Sequence, residues 1–375
     1  MFSNIQSKKE LENYKNMLKA TGAISNLFSD SSSPYLGYRA VENIFCKAFN
    51  AENLSRSDCS ADASKEKIGI GIKTFLNLNG KTLQKVAEFN RDISLYKDRN
   101  PMDLIKKVCE LRNERLKATK RIHGLEKLIY HCVVRDVGKI LVFECAMDEI
   151  DIDKIKNIKI KEHIISFEDD KNEYSFNISK STLYKRFITK NVLLQFDVNI
   201  IEDPYVFLGE MLTSKFKEKL IFAPIKNHPY VQLPLFSDRG GRQVPAKSGL
   251  NQWNAAGRPR DYNEVYIPIP SWIHKKFPDF FPARDKSFNL KLPNGKYMSA
   301  KVCQDGSKAL MSNPNKELGQ WILRDVMNLQ EGELLTYERL NELGLDSVII
   351  YKIGDDYTID FTAMGSYDDF VDQNK

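Results

Sequence analysis

The sequence predicts two domains, a mixed α/β domain followed by a mainly-β one, and three observations lead there. With 375 residues the chain is long for one compact domain and comfortable for two. Its first half mixes helical spacing with strand alternation, whereas the part beyond residue 228 is built of short strands and tight turns, the pattern of a small barrel. Pro204, Pro224 and Pro229 punctuate the change, which places the domains at 1–200 and 229–375 with a linker over 201–228.

"SSSPYLGYRAVENIFCKAFN" opens with Ser33 before Pro34 and continues with Val41, Ile44, Phe45, Ala48 and Phe49 at helical spacing, so a helix is expected over 35–50. "KIGIGIKTFL" alternates, with Ile68, Ile70 and Ile72 on one face and Gly69, Gly71 and Lys73 on the other, as in a strand. After the turn Asn79-Gly80, "KTLQKVAEFNRDISLYK" places Leu83, Val86, Ala87, Asn90 and Ile93 on one side and reads as a helix, followed by a second in "MDLIKKVCELRNERLKATKRI". "KLIYHCVV" with "KILVFECAM", and "EHIISFEDD" with "NEYSFNIS", read as hairpins. In the second domain "EVYIPIP", "SFNLKL", "KYMSAKVC", "SVIIYKI" and "YTIDF" are the expected strands, interrupted by a helix in "ELGQWILRDVM".

The composition, 42% hydrophobic and 28% charged, is that of an ordinary globular protein, and no apolar run approaches a membrane span of roughly 20 residues. The start "MFSNIQSKKELENYKNML" puts acids and lysines where an export signal needs an apolar core, so a cytoplasmic protein is expected. Six scattered cysteines without a C-x-x-C pair argue against zinc or dithiol chemistry. The net charge of +6 permits a polyanionic partner.

One constellation surrounds the glycine strand. Asp58, Ser60 and Asp62 alternate on one face of the segment before it, and Lys73 lies on its polar face. Phosphodiester hydrolysis uses Mg²⁺ held by one or two carboxylates, with a lysine to orient the attacking water and offset charge on the phosphate oxygens. Gly71 stands where a second acid would be expected, and Glu88, fifteen positions beyond Lys73 with Gln84 one turn earlier, offers one from the following helix. The arrangement resembles the PD-(D/E)XK nuclease superfamily in its variant with the second metal-binding acid moved to the next helix. By that resemblance Asp62 and Glu88 hold Mg²⁺, Lys73 is the catalytic lysine, and Glu42 is the additional glutamate near the metal. Two look-alikes fail. Phe75 replaces the first glycine that a phosphate-binding loop ending in Gly80-Lys81-Thr82 requires, and Phe281 replaces the aspartate that should follow the H-x-K of a phospholipase-D-type nuclease at His274.

The other constellation is "SDRGGRQVPAKSGLNQWNAAGRPRDYNEVYIPIP", where Arg239, Arg242, Lys247, Arg258 and Arg260 stand among glycines, with Asn251, Gln252 and Asn254 beside Trp253. Arginine pairs with guanine edges, and asparagine and glutamine with adenine edges. "CQDGSKALMSNPNKELGQW" adds Lys308, Ser312, Asn313 and Asn315. Over about 145 residues this region resembles the recognition domain of restriction endonucleases of the NgoFVII kind, and more distantly of the BfiI and EcoRII kinds, a DNA-binding pseudobarrel shared with plant B3 transcription factors. The resemblance implies two arms entering the major groove. The first would hold Arg239, Arg242, Asn251, Gln252, Trp253 and Asn254, the second Lys308, Ser312, Asn313 and Asn315. A third basic group, "SKSTLYKRFITK", offers Lys185 and Arg186 for phosphate contact.

Together the resemblances imply a type II restriction endonuclease of a prokaryotic cytoplasm, cleaving double-stranded DNA at a short site with Mg²⁺. They also imply a cognate DNA methyltransferase that acts on the same site, and one cleavage centre per chain leads to the expectation of a homodimer on DNA. A DNA reader without activity, or a specificity subunit of a larger restriction complex, is the alternative.

Overall fold

The computed structural model describes residues 1–54, 59–213 and 228–375, so Asp58 and most of the expected linker lie outside the described residues. The chain forms two compact units, and the division is not a single cut. Helix α4 (Pro101–His123) is shared, its residues through Cys109 counting with the first unit and Glu110–Gly124 with the second.

The first unit begins with α1 (Lys8–Ala23) and α2 (Tyr38–Phe49). A capping box starts α1, in which Ser7 accepts from the Glu10 amide and Glu10 from the Ser7 amide. β1 (Glu52–Asn53), β2 (Ala63–Lys65), β3 (Ile68–Leu76), β5 (Lys127–Asp136), β6 (Lys139–Ala146) and β11 (Leu194–Asp197) form one sheet in the order β1-β2-β3-β5-β6-β11. β3 and β5 are parallel, and the chain between them includes α4, as a parallel pair requires a crossover. One face of this sheet, through Ile70, Ile72, Ile129, Val133 and Val142, packs with Tyr14 and Leu18 of α1 and Val41, Phe45 and Phe49 of α2. Side chains that size stabilise by roughly 1.5–3 kcal/mol each when fully buried.

Residues 81–97 are not a helix. β4 (Lys81–Glu88) is a strand, followed by the short α3 (Ile93–Tyr96). Gly80, with φ 78°, makes the turn that sends the chain from β3 into β4. Partly buried and exposed residues then alternate along β4, because it pairs with β10 (Thr182–Ile188) at the edge of a second sheet. That sheet runs β4-β10-β9-β8-β7, with β7 (Lys156–Lys161), β8 (Ile164–Glu168) and β9 (Glu173–Asn177). Both expected hairpins are present, as β5–β6 and β8–β9. Residues 204–213, expected within the linker, form helix α5 (Pro204–Thr213) of the first unit.

The second unit is a seven-stranded sheet, β12-β17-β18-β14-β15-β16-β13. Its strands are β12 (Tyr230–Pro234), β13 (Ile267–Pro268), β14 (Ser287–Lys291), β15 (Tyr297–Cys303), β16 (Ala309–Ser312), β17 (Leu345–Ile353) and β18 (Asp356–Ala363). All neighbours are antiparallel except β14 and β18. Its helices are α6 (Ser271–Lys276), α7 (Glu317–Gly319) running into a π-helical segment over Gln320–Val326, α8 (Tyr337–Leu343) and α9 (Ser366–Asn374). Leu233, Ile267, Leu290, Leu310, Ile322, Val348 and Ile359 fill the core together with Ala118 and Ile122 from α4.

Candidate active site and nucleic-acid interface

β2 runs beside β3 only as far as Ala63, paired with Ile70, and the segment before it then leaves the sheet. Asp62 sits at that departure. Its amide donates to the Ile70 carbonyl at 2.8 Å and its carboxylate accepts from the Ile72 amide at 2.7 Å, so backbone on the edge of β3 fixes the acid from both sides. Lys73 is the next residue along that edge, half-buried and without a hydrogen bond from its ammonium among the described residues. α2 brings the third member, Glu42, only 4% exposed, with Arg39 donating to its carboxylate at 2.9 Å.

The charges of these residues act on one another. Burial raises the Asp62 carboxyl above its ordinary value, against the pull of Lys73, the Ile72 amide and Arg39. Burial likewise raises Glu42, and the Asp62 charge adds to it, while Arg39 and Lys73 oppose. Two acids pushed up by burial, one of them also by its neighbour, and balanced by two bases, suit a hard divalent cation, for Mg²⁺ needs only one or two carboxylates and fills its shell with water and phosphate oxygen. Among the described residues there is no group of three or more His, Cys, Asp or Glu side chains that could hold a metal.

Gly71 and Glu88 resolve differently from the sequence expectation. A Cβ at Gly71 would lie 2.4 Å from Met147 Cε and 3.2 Å from the Tyr130 ring, so a side chain there would require the Met147 tip and the ring to shift. Gly69 similarly makes room for Leu125 and Leu128. Glu88 closes strand β4 opposite Thr182, and its carboxylate bonds Lys85 and Asn90. The helix that delivers an acid to Asp62 is α2, and the acid is Glu42. Lys185 is buried, its ammonium on the Ala146 carbonyl at 3.3 Å and over the Tyr130 ring, while Arg186 bonds Glu173 at 2.6 Å. Both line a cavity of about 320 Å³ with Cys145, Asp169 and Lys190.

In the second unit the first arm hangs between β12 and β13, and it divides into exposed tips and internal supports. Asn251 is fully buried, donating to the Leu335 carbonyl at 2.9 Å and accepting from the Leu335 amide at 2.9 Å, so it holds the loop and is closed to a base. Trp253 packs against the core with Tyr262 edge-on at 5.3 Å between ring centres. Arg242 grips Asp368 of α9 with two hydrogen bonds, 2.7 and 3.0 Å, over the Phe236 ring. Glu264, 7% exposed, is a hub: Gln252 donates to it at 3.1 Å, Arg258 bonds it, and the Arg260 guanidinium lies 3.6 Å away. Arg239 and Lys247 are exposed, with no side-chain partner among the described residues. Asn254 is exposed and donates to the Ala246 carbonyl at 3.0 Å.

The expected second arm is not one loop. Residues 309–312 form β16, and Ser312 is fully buried, its hydroxyl accepting from the Leu318 amide at 2.9 Å. This strand separates Lys308 at one end from Asn313 and Asn315 at the other, all three exposed. The register of β13 against β16 brings the first arm in at the Asn313 end, where Lys316 pairs with Asp261 at 2.8 Å and Asn263 donates to Gln320 at 3.2 Å. Arg239, Lys247, Asn254, Asn313 and Asn315 are therefore the exposed candidate readers on the arms and at that end of β16 that no acid holds, whereas Arg242 and Arg258 are exposed but paired with Asp368 and Glu264. Arg39, Glu264 and Asp368 were missed. Arg39 stands three residues before Glu42 and Glu264 four after Arg260, spacings that a search for partners of each acid would have found. Asp368 has no local signal.

No helix among the described residues is long and apolar enough to cross a membrane. No curated protein matches the chain. Residues 225–354, about a third of the chain, match the family of the NgoFVII C-terminal B3-like DNA-binding domain, so the second unit is similar to the DNA-binding part of a restriction enzyme.

Proposed function

We propose that this chain is a type II restriction endonuclease, with a Mg²⁺-dependent hydrolytic site of PD-(D/E)XK type in its first unit and a recognition pseudobarrel in its second. The observation that carries the reading is the convergence of Glu42, Asp62 and Lys73 where β2 leaves β3, in a chain whose other unit matches a DNA-binding domain. Glu42 and Asp62 would hold the ion, which when bound polarises the phosphodiester and lowers the pKa of water. Lys73, without a hydrogen bond from its ammonium among the described residues, orients the attacking water and offsets negative charge on the phosphate oxygens. Hydrolysis breaks one phosphorus–oxygen bond and leaves the phosphate on one of the two new ends. One such centre per chain cuts one strand, so two chains are needed to cut both.

The test is incubation of the purified chain with unmethylated phage DNA, with Mg²⁺ or EDTA, beside Asp62→Asn. Discrete fragments that require Mg²⁺ and vanish in the variant support the reading. Intact DNA with sequence-specific binding retained would make the chain a DNA reader or a specificity subunit.

A further inference from the structure

The face of the first sheet that carries Lys73 also carries two cysteines. Cys132 lies opposite Lys73 across β3 and β5 and opposite Phe143 across β5 and β6, while Cys145 lies opposite Tyr130, so the two thiols are diagonal neighbours on one face. Cys132 is fully buried, whereas Cys145 is half-buried and lines the cavity of about 320 Å³. β10 sends Lys185 to the same place. Its ammonium reaches the carbonyl of Ala146, the residue after Cys145, at 3.3 Å, and stands 5.3 Å from the centre of the ring of Tyr130, the residue paired with Cys145. A buried cation therefore flanks a thiol that opens to a cavity. Contact with Cys132, which burial keeps protonated, lowers the Cys145 thiol below its ordinary value, and Lys185 lowers it further, against burial, Asp148 and Glu144.

We propose that Cys145 is a modification site for small disulfides, with the cavity as the entry and Lys185 as the group that favours the exchange. The thiol proton passes to solvent, the Cys145 thiolate attacks one sulfur of the disulfide, a new S–S bond forms as the old one breaks, and the outer sulfur leaves as a thiolate with the electron pair. Negative charge spreads over three sulfurs in that step, and the Lys185 ammonium offsets it. Cys132 supports the thiolate and does not take the adduct over. Diagonal neighbours across a sheet lie roughly 7–8 Å apart at Cα, beyond the about 4.4–6.8 Å that a disulfide spans, so the adduct stays on Cys145. The site needs no metal and stands whether or not the chain cleaves DNA.

The test treats the native full chain with dithiobis(nitrobenzoate), follows the released aryl thiolate by its absorbance, and maps the labelled peptides by mass spectrometry. Wild type is compared with Cys145→Ser, Cys59→Ser and Lys185→Met, Cys59 being the other half-buried cysteine. Cys145 is expected to be labelled about tenfold faster than Cys59 at pH 7, with one thiolate released per chain in that phase and the label removed by dithiothreitol. The phase should vanish in Cys145→Ser and persist in Cys59→Ser, and Lys185→Met should slow it by about three- to tenfold. In wild type the rate should reach half its maximum below the ordinary thiol pKa of about 8.5. The wild-type peptide map and pH profile decide the question even if a variant fails to fold. A native chain in which Cys145 stays unlabelled, or reacts no faster than Cys59, or reacts only above pH ~8.5, overturns the site. An unchanged rate in Lys185→Met overturns the part given to Lys185, and release of a second thiolate with a Cys132–Cys145 disulfide in the peptide map overturns the lasting adduct.

Discussion

His131 in the first unit is fully buried and bonded on both ring nitrogens. Tyr14 contacts one ring nitrogen at 2.9 Å, Glu144 the other at 3.1 Å, and Ser3 donates to Glu144 through its amide at 3.0 Å and its hydroxyl at 2.5 Å. Burial pushes the Glu144 carboxyl up, but His131 and Ser3 outweigh it and hold the group below its ordinary value. An acid lowered in the folded state contributes stability that is present above its unfolded pKa of about 4.3 and is lost as the pH falls through the folded pKa. Glu144→Gln is expected to cost about 1–3 kcal/mol at pH 7, because it leaves buried partners poorly satisfied. Urea denaturation at several pH values checks this: the gap between wild type and variant should narrow below pH 4, and a gap independent of pH would count against the ionised carboxylate as its source. The four residues are 3, 14, 131 and 144, so only the fold makes them neighbours.

At the scale of elements, the sequence was legible where one periodicity dominated and misleading where two competed. α2, β3, α4 and the two hairpins follow directly from apolar spacing and turn residues. β4 does not, because Leu83, Val86 and Ala87 fit a helical stripe as well as they fit an edge strand, and pairing with β10 decided between them. On the proposed reading, that choice moves the second acid from Glu88 to Glu42. In single-turnover cleavage Glu42→Ala is expected to lose about 10²–10³-fold, while Glu88→Ala stays within a few-fold of wild type. The reverse ranking would return the second acid to β4. The first arm was legible in composition and illegible in its wiring. Its bases are visible in the sequence, but Asn251 is spent on Leu335 and Arg258 on Glu264. Glu264→Gln releases Arg258, which is 57% exposed, to phosphate. Binding to non-specific DNA should then tighten, and the slope of log affinity against log salt should steepen by about 1. An unchanged slope in a filter-binding series would mean that Glu264 does not restrain Arg258.

For the whole molecule, the family match begins at residue 225, yet the second unit needs chain from far outside it. Ala118 and Ile122 of α4 enter its core, Arg121 donates to the Val326 carbonyl at 2.8 Å, and Glu114 pairs with Arg339 at 3.3 Å. Position along the chain alone places α4 in the first domain. An amphipathic helix does not announce which apolar face it will meet. The tryptophans give a way to test the assignment, for Trp253, Trp272 and Trp321 all lie in the second unit, and their emission follows that unit's unfolding. Ile122→Ala leaves a cavity in its core and is expected to cost about 2–5 kcal/mol, lowering the tryptophan-detected midpoint in urea. Ile93→Ala makes a control, since that residue counts with the first unit and is 41% exposed, and should leave the midpoint where it is. A domain bounded by residues 229–375 would be indifferent to Ile122. If the tryptophan transition does not move in Ile122→Ala, α4 is only a connector, and the recognition unit is the C-terminal segment alone.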